Sequence, residues 1–310
     1  MKMLSFIFPG QGSQRVGMGR ALVDVHPECR ATFEEADDVL GESLSTLCFE
    51  GPEDRLTLTE NAQPAILMVS VATYRGLVAR GLTPTSVAGH SLGEYSAHVA
   101  AGTMSFADAL GIVRRRGQYM QEAVPVGEGA MAAILGLDAD SVQRACDESS
   151  GGEVVAPANL NAPGQIVIAG AREAVRRAGA VAKRLGAKRV IPLTVSAPFH
   201  CALMQPAADR LAPEFRALLV TDPRVPVVAN VDAEPKHDAS AAIDALIRQT
   251  VSPVLWEKVV RRLASDGART YVEVGPGSVL TGLMKKIDRA LRAVATDGLP
   301  TLDHARELIG

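Results

Sequence analysis

Ser86-Val87-Ala88-Gly89-His90-Ser91-Leu92-Gly93-Glu94-Tyr95-Ser96 is the stretch that decides the fold. Its centre, Gly89-His90-Ser91-Leu92-Gly93, has the G-x-S-x-G form of a nucleophile elbow. An apolar strand should end at Val87 and Ala88, and a helix should begin near Leu92. Ser91 then occupies the sharp turn between them. Side chains at positions 89 and 93 would collide with the neighbouring strand and helix, so both are glycine. Such a turn lifts the hydroxyl out of the sheet and places the next backbone N–H at a helix start. Negative charge developing on a substrate oxygen is favoured there. A plain tight turn has the same five letters; the strand-then-helix context favours a nucleophile.

The flanking chain alternates in the same way. Leu4 to Phe8 reads as a first buried strand, and Pro9-Gly10-Gln11-Gly12-Ser13-Gln14 as the loop after it. The loop lacks G-x-G-x-x-G and G-K-[ST], so nucleotide binding is not expected. Its backbone N–H groups are suited instead to be the second donor of an oxyanion hole. Residues 20–40 read as one helix. Asn61-Ala62-Gln63-Pro64 reads as a helix start, with Pro64 in the first turn. Phe106, Leu110, Val113, Gly117 and Met120 form an apolar stripe on a helix that also carries Arg114-Arg115-Arg116. Arg115 points away from the stripe, and Arg114 and Arg116 flank it. A solvated basic face is the plain reading, and periodicity does not choose between the two flanking arginines.

Residues 127–195 give the order βαββαβ, the ferredoxin-like arrangement. The chain then returns to strands and helices, with helices expected at 201–219, 241–249 and 254–265. Strands are expected at 225–231 and 270–274. The expected architecture is α/β, a hydrolase-like parallel-sheet core (1–126 and 196–310) with an inserted ferredoxin-like subdomain (127–195).

Composition narrows the function. The chain has 310 residues, 47% of them hydrophobic, and a net charge of −3. Nucleic acid is therefore not expected as the main partner. Cys29, Cys48, Cys146 and Cys201 lie far apart with no C-x-x-C spacing, so neither a metal site nor a disulfide framework is expected. The apolar run at the N-terminus stops at Pro9, too soon for a signal peptide, and no run reaches membrane length. A reduced, cytoplasmic location is the expectation.

A serine needs a base. Of the six histidines, His90 lies inside the elbow and reads as structural, and His98 as packing or surface. His26, His237 and His304 sit in polar contexts that read as exposed. His200, after Ser196-Ala197-Pro198-Phe199, stands where strand-exit loops of an α/β fold collect, and is the best base by location. No Asp or Glu between Ser91 and His200 occupies an obvious strand end, so a backbone carbonyl is left to hold the imidazole.

With these residues in hand, the chain resembles the malonyl-CoA:acyl-carrier-protein transacylases of fatty-acid synthesis and the related acyltransferases of polyketide synthases. The motifs are Phe8-Pro9-Gly10-Gln11-Gly12-Ser13-Gln14, Gln63-Pro64-Ala65, the elbow through Tyr95, and Arg116-Gly117-Gln118-Tyr119-Met120-Gln121. They continue with Asn159-Leu160-Asn161-Ala162-Pro163-Gly164-Gln165, Pro198-Phe199-His200, Gln249 through Trp256, and Glu273-Val274-Gly275-Pro276-Gly277. The resemblance implies Ser91 as acylated nucleophile, His200 as base, and the Gln249 carbonyl as its orienter. It implies an oxyanion hole from the N–H groups of Gln11 and Leu92, and Arg116 as the clamp on the malonyl carboxylate, with Gln63 beside the substrate. Asn159 and Asn161 would lie along the cleft near the thioester arm. No permanently bound cofactor or metal is implied. Malonyl-CoA is the substrate, and the phosphopantetheine thiol of an acidic acyl carrier protein is the acceptor. That partner would dock on basic residues such as Lys183, Arg184, Lys188, Arg189, Lys285 and Lys286. In polyketide relatives a Phe before the active-site histidine goes with malonyl, and a Ser with methylmalonyl. Phe199 fits the former, while fatty-acid enzymes often carry Ser there, so the pathway stays open. A stand-alone polyketide acyltransferase, a serine thioesterase or hydrolase, an enzyme moving acyl groups between two carriers, and a non-catalytic docking module are the alternatives.

Overall fold

The computed structural model describes residues 3–297 and 302–304. Among the described residues, ten strands form two sheets. In chain order they are β1 (Leu4–Phe8), β2 (Ser86–Gly89), β3 (Gly129–Leu135), β4 (Val155–Ala162), β5 (Gln165–Ala171), β6 (Arg189–Pro192), β7 (Val227–Val228), β8 (Pro235–Lys236), β9 (Thr270–Glu273) and β10 (Arg292–Ala295). The larger sheet runs β10-β9-β1-β2-β7-β8, parallel throughout except for the last pair. β1 and β2 are buried along their length and mostly apolar, with Ser5 and Ser86 hydrogen-bonded to each other (2.7 Å), as the centre of a sheet covered by helices requires. The smaller sheet runs β4-β5-β3-β6, antiparallel at every pair, with helices Ala139–Ser149 and Arg172–Arg184 packed on it. This is the ferredoxin-like order. The architecture is therefore the expected α/β one, a parallel core with a separate antiparallel sheet.

The C-terminal ends of β1, β2 and β9 lie side by side, Phe8 opposite Gly89 and Ile7 opposite Glu273. The Gly10–Gln14 loop, the elbow and Gly275-Pro276-Gly277 all emerge there. A parallel sheet gathers its loops at this edge and builds its site from them. The smaller sheet is tied to the core beside that edge: Leu160 N–H donates to Val254 O (2.9 Å), and Val254 N–H to Ala158 O (2.9 Å).

Several local expectations are corrected. Residues 20–40 form two helices, Arg20–Val25 and Pro27–Leu40. Pro27 forces the preceding His26 into extended backbone and breaks the run. His26 is buried, not exposed, with Nδ1 2.6 Å from Arg80 Nη2. His98 is wholly buried, as packing. The helix carrying Gln63 begins at Thr59, so Pro64 lies inside it rather than in the first turn. A proline there leaves the carbonyl four residues back without its helical donor. That carbonyl, Glu60 O, accepts from Arg114 Nη1 at 2.9 Å, so Arg114 repairs the helix. The 225–231 strand is only two residues long, and 201–219 resolves into a turn at Ala202–Met204 and a helix at Gln205–Arg216. The helices expected at 241–249 and 254–265 run Ala239–Gln249 and Trp256–Ser265. Short helices Leu44–Glu50 and Glu53–Thr57, and edge strands β8 and β10, carry too little periodicity to have been read.

Candidate active site

Gly89 and Gly93 have no room for side chains. A Cβ on Gly89 would overlap the Gly93 and Glu94 backbone, and one on Gly93 the carbonyl of Phe8. That contact lets the helix Gly93–Ala101 start hard against the end of β2. Ser91 is left with φ +52°, in the left-handed region. His200 adopts φ +60°. Each such residue stores about 1–3 kcal/mol and persists only where its surroundings hold it.

Asn230 holds the elbow. Its Oδ1 accepts the Ser91 N–H (2.7 Å) and its Nδ2 donates to Gly89 O (2.7 Å), bracing both sides of the turn. Its own N–H donates to Glu94 Oε2 (3.0 Å). Sequence reading missed Asn230 and Glu94. The signal was a polar residue inside the apolar run 225–231, and an acid directly behind the elbow that reads as an ordinary first-turn helix residue.

The serine stands between a base and a cation. Ser91 Oγ is 2.7 Å from His200 Nε2, and Arg116 Nη2 donates to it at 3.2 Å. His200 Nδ1 is 3.0 Å from the backbone oxygen of Gln249. A carbonyl only accepts, so Nδ1 carries the proton and the Nε2 lone pair faces the hydroxyl. Burial, and secondarily the Arg116 charge, pushes the His200 pKa down to about 3. The imidazole is therefore neutral and able to take a proton.

Arg116 is 2% exposed. Nη1 donates to Gln63 Oε1 (2.5 Å), Nη2 also donates to Gln249 Oε1 (3.1 Å), and the guanidinium lies over the Tyr95 ring at 5.2 Å. Among the described residues no carboxylate is within ion-pair distance of it. Burying a lone guanidinium costs several kcal/mol. Its charge is thus left available to an anion entering the site.

A cavity of about 550 Å³ opens over these groups. Gln11, Gln63, Ser91, Leu92, Arg116 and His200 line its floor. Asn159 and Phe199 line the side toward the smaller sheet, with Met131 and residues 193–196. The Gln11 side chain accepts from Thr59 Oγ1 (2.9 Å), which fixes the loop. The backbone N–H groups of Gln11 and Leu92 donate to nothing among the described residues. Asn161 is not part of the lining: its Oδ1 is 2.7 Å from His90 Nε2, joining the elbow to β4. The four cysteines are buried and reduced, with burial raising their thiols to about 11 at Cys201 and about 12 at the others. Among the described residues no His, Cys, Asp and Glu cluster could hold a metal, and no helix is long and apolar enough to cross a membrane.

The family described as "Acyl transferase domain" matches residues 5–301. The malonyl CoA-acyl carrier protein transacylase of Escherichia coli K12 is 51% identical, covering 99% of this chain and 100% of its own. That of Bacillus subtilis 168 is 48% identical, covering 98% and 96%. An acyl carrier protein S-malonyltransferase from Vibrio cholerae superposes with TM-score 0.96 at 48% identity, covering 98% of this chain and 100% of that one. A malonyl-transacylase in complex with its type II polyketide-synthase acyl-carrier protein superposes with TM-score 0.97 at 48% identity, covering 99% and 100%.

Proposed function

From the premise that the chain belongs to the acyl transferase domain family, we propose that it transfers a malonyl group from malonyl-CoA to acyl carrier protein through a malonyl-serine at Ser91. The observation that carries this is the serine hydroxyl set between His200 Nε2 and a buried guanidinium without a carboxylate partner. A base beside the hydroxyl makes a nucleophile. The cation beside it selects an acyl group that bears its own negative charge.

Ser91 Oγ attacks the thioester carbonyl as His200 Nε2 takes its proton. The carbonyl oxygen, now negative, is held by the N–H groups of Gln11 and Leu92, each worth roughly 3 kcal/mol. The C–S bond breaks, and the coenzyme A sulfur leaves with the proton from His200. The phosphopantetheine thiol then repeats the sequence in reverse order. The Gln249 carbonyl keeps the imidazole tautomer throughout, the role an aspartate plays elsewhere. Arg116, steadied by Gln63 and Gln249, meets the malonyl carboxylate with two donors in one plane. Phe199 stands where a branched acyl group would need room, and Asn159 along the path of the thioester arm. The carrier protein, an acidic partner, docks on exposed basic residues; of the six named above, Arg184 also pairs with Glu148 and Lys286 with Gln165.

Intact-protein mass after brief mixing with malonyl-CoA tests the reading. A malonyl-sized increment should appear, map to Ser91, and vanish on adding holo carrier protein. Steady release of free malonate in the absence of any carrier would make the protein a hydrolase instead.

The acidity of His200 gives a second expectation. A protonated imidazole cannot take the serine proton, and protonation is held off until about pH 3. The kcat/KM for malonyl-CoA should therefore stay level from pH 8 down to pH ~5, without a limb near the ordinary histidine value of about 6.5. An acid limb centred near that value would contradict the neutral, buried base.

A further inference from the structure

Glu94 is wholly buried, one turn behind the nucleophile, and has no part in the chemistry above. Its Oε2 accepts from Asn230 N–H (3.0 Å) and from Gln249 Nε2 (2.8 Å). Its Oε1 has no partner among the described residues. Gln249 is the hub it touches. The backbone oxygen of Gln249 faces His200, its Nε2 also donates to Ser91 O (2.9 Å), and its Oε1 accepts from Arg116 (3.1 Å).

A glutamine amide can sit either way round, and only one way serves this site. With Oε1 toward Arg116, the guanidinium has an acceptor that steadies it. With the NH2 group there, two donors would face each other, and Arg116 would be pushed from its place beside Ser91. Two acceptors, Glu94 Oε2 and Ser91 O, hold the NH2 end on the far side. The Ser91 carbonyl is main chain and present whatever residue follows. Glu94 is the side chain that fixes the choice.

We propose that Glu94 is a specificity-determining positioning residue: by accepting from Gln249 Nε2 it orients the Gln249 amide so that Oε1 anchors Arg116, and so sets the preference for carboxylate-bearing acyl groups. The inference rests on the reading of Arg116 as the malonyl clamp. It needs an acceptor oxygen, not a charge. Burial pushes the Glu94 carboxyl up to about 7, and a proton on the partnerless Oε1 leaves Oε2 free to accept.

The test is the rate of Ser91 acylation by malonyl-CoA and by acetyl-CoA, read as a ratio. Glu94→Gln keeps an acceptor oxygen and should hold the malonyl-to-acetyl ratio within threefold of the parent. Glu94→Met, of similar length but without an acceptor, should lower the ratio about tenfold or more. The loss should fall more heavily on malonyl than on acetyl, since the Asn230 N–H left without its acceptor burdens both acyl groups alike. In a Gln249→Met background, Glu94→Met should leave the ratio where Gln249→Met alone put it, since residues acting through one another are not additive. Equal loss for both acyl groups in Glu94→Met would reduce Glu94 to packing and overturn the proposal. A collapsed ratio in Glu94→Gln would also overturn it, and this arm stands even if Glu94→Met does not fold. Arg116→Ala is the control. If it leaves the ratio intact, the clamp reading itself fails; if it destroys the ratio while Glu94→Met does not, only the present inference fails.

Discussion

His200→Ala should slow acylation of Ser91 by malonyl-CoA about 10⁴-fold, the largest effect of any single change considered. The base is lost and nothing takes its place. No other imidazole lies within reach of Ser91 Oγ, since His90 is turned to Asn161 and His98 is buried against Thr103. The hydroxyl also keeps the Arg116 donor, which holds its oxygen but takes no proton. The backbone N–H groups of Gln11 and Leu92 and the Arg116 guanidinium remain, so binding should change far less than rate. Single-turnover mixing followed by acid quench and intact mass separates the two. A fall of less than tenfold would mean that the proton leaves by another route, and that His200 only packs against the serine.

Arg116→Ala should cost malonyl transfer two to nearly four orders of magnitude in kcat/KM. The malonyl carboxylate would then be buried with no cation, a loss of about 3–5 kcal/mol. The same change should help acetyl-CoA or leave it untouched. In the parent, an acetyl group leaves the guanidinium as unpaired as it is in the empty site, and gains nothing from it. Steady-state rates with both coenzyme A esters test this directly. If malonyl transfer were unchanged, the anion would be held elsewhere and the buried charge would need another explanation.

The two arginines at 114 and 116 mark how far sequence reasoning reaches. Helical period put both beside the apolar stripe and could not separate them. What separates them is a proline fifty residues away in the chain: Pro64 leaves Glu60 O without a donor, and Arg114 is spent on it. Period-based reading has no access to such a contact. The resemblance chose Arg116, whose side chain lies at the cavity floor beside Ser91. The elbow was legible because its chemistry is local: two close backbone approaches demand two glycines, and both occur within five residues. The βαββαβ order was legible because strand and helix periods differ. Asn230 and Glu94 were not legible, because their meaning lies in partners 136 and 139 residues away. The two-residue β7 shows the same limit: Asn230 interrupts the apolar run 225–231, yet a single polar letter does not say that the chain leaves the sheet there.

The burial of the thiols bears on fidelity. An acyl-serine and a malonyl thioester are both electrophiles that a nearby thiolate would intercept, turning the protein into a sink for its own substrate. Cys201 is the residue next to the base, yet it is 2% exposed, its Sγ donates to Pro198 O at 3.1 Å, and its thiol is raised to about 11. The other three are buried as well, and their thiols are raised higher still, to about 12. At neutral pH the chain's own sulfur is silent, so a thiol arriving from outside meets no rival within the fold.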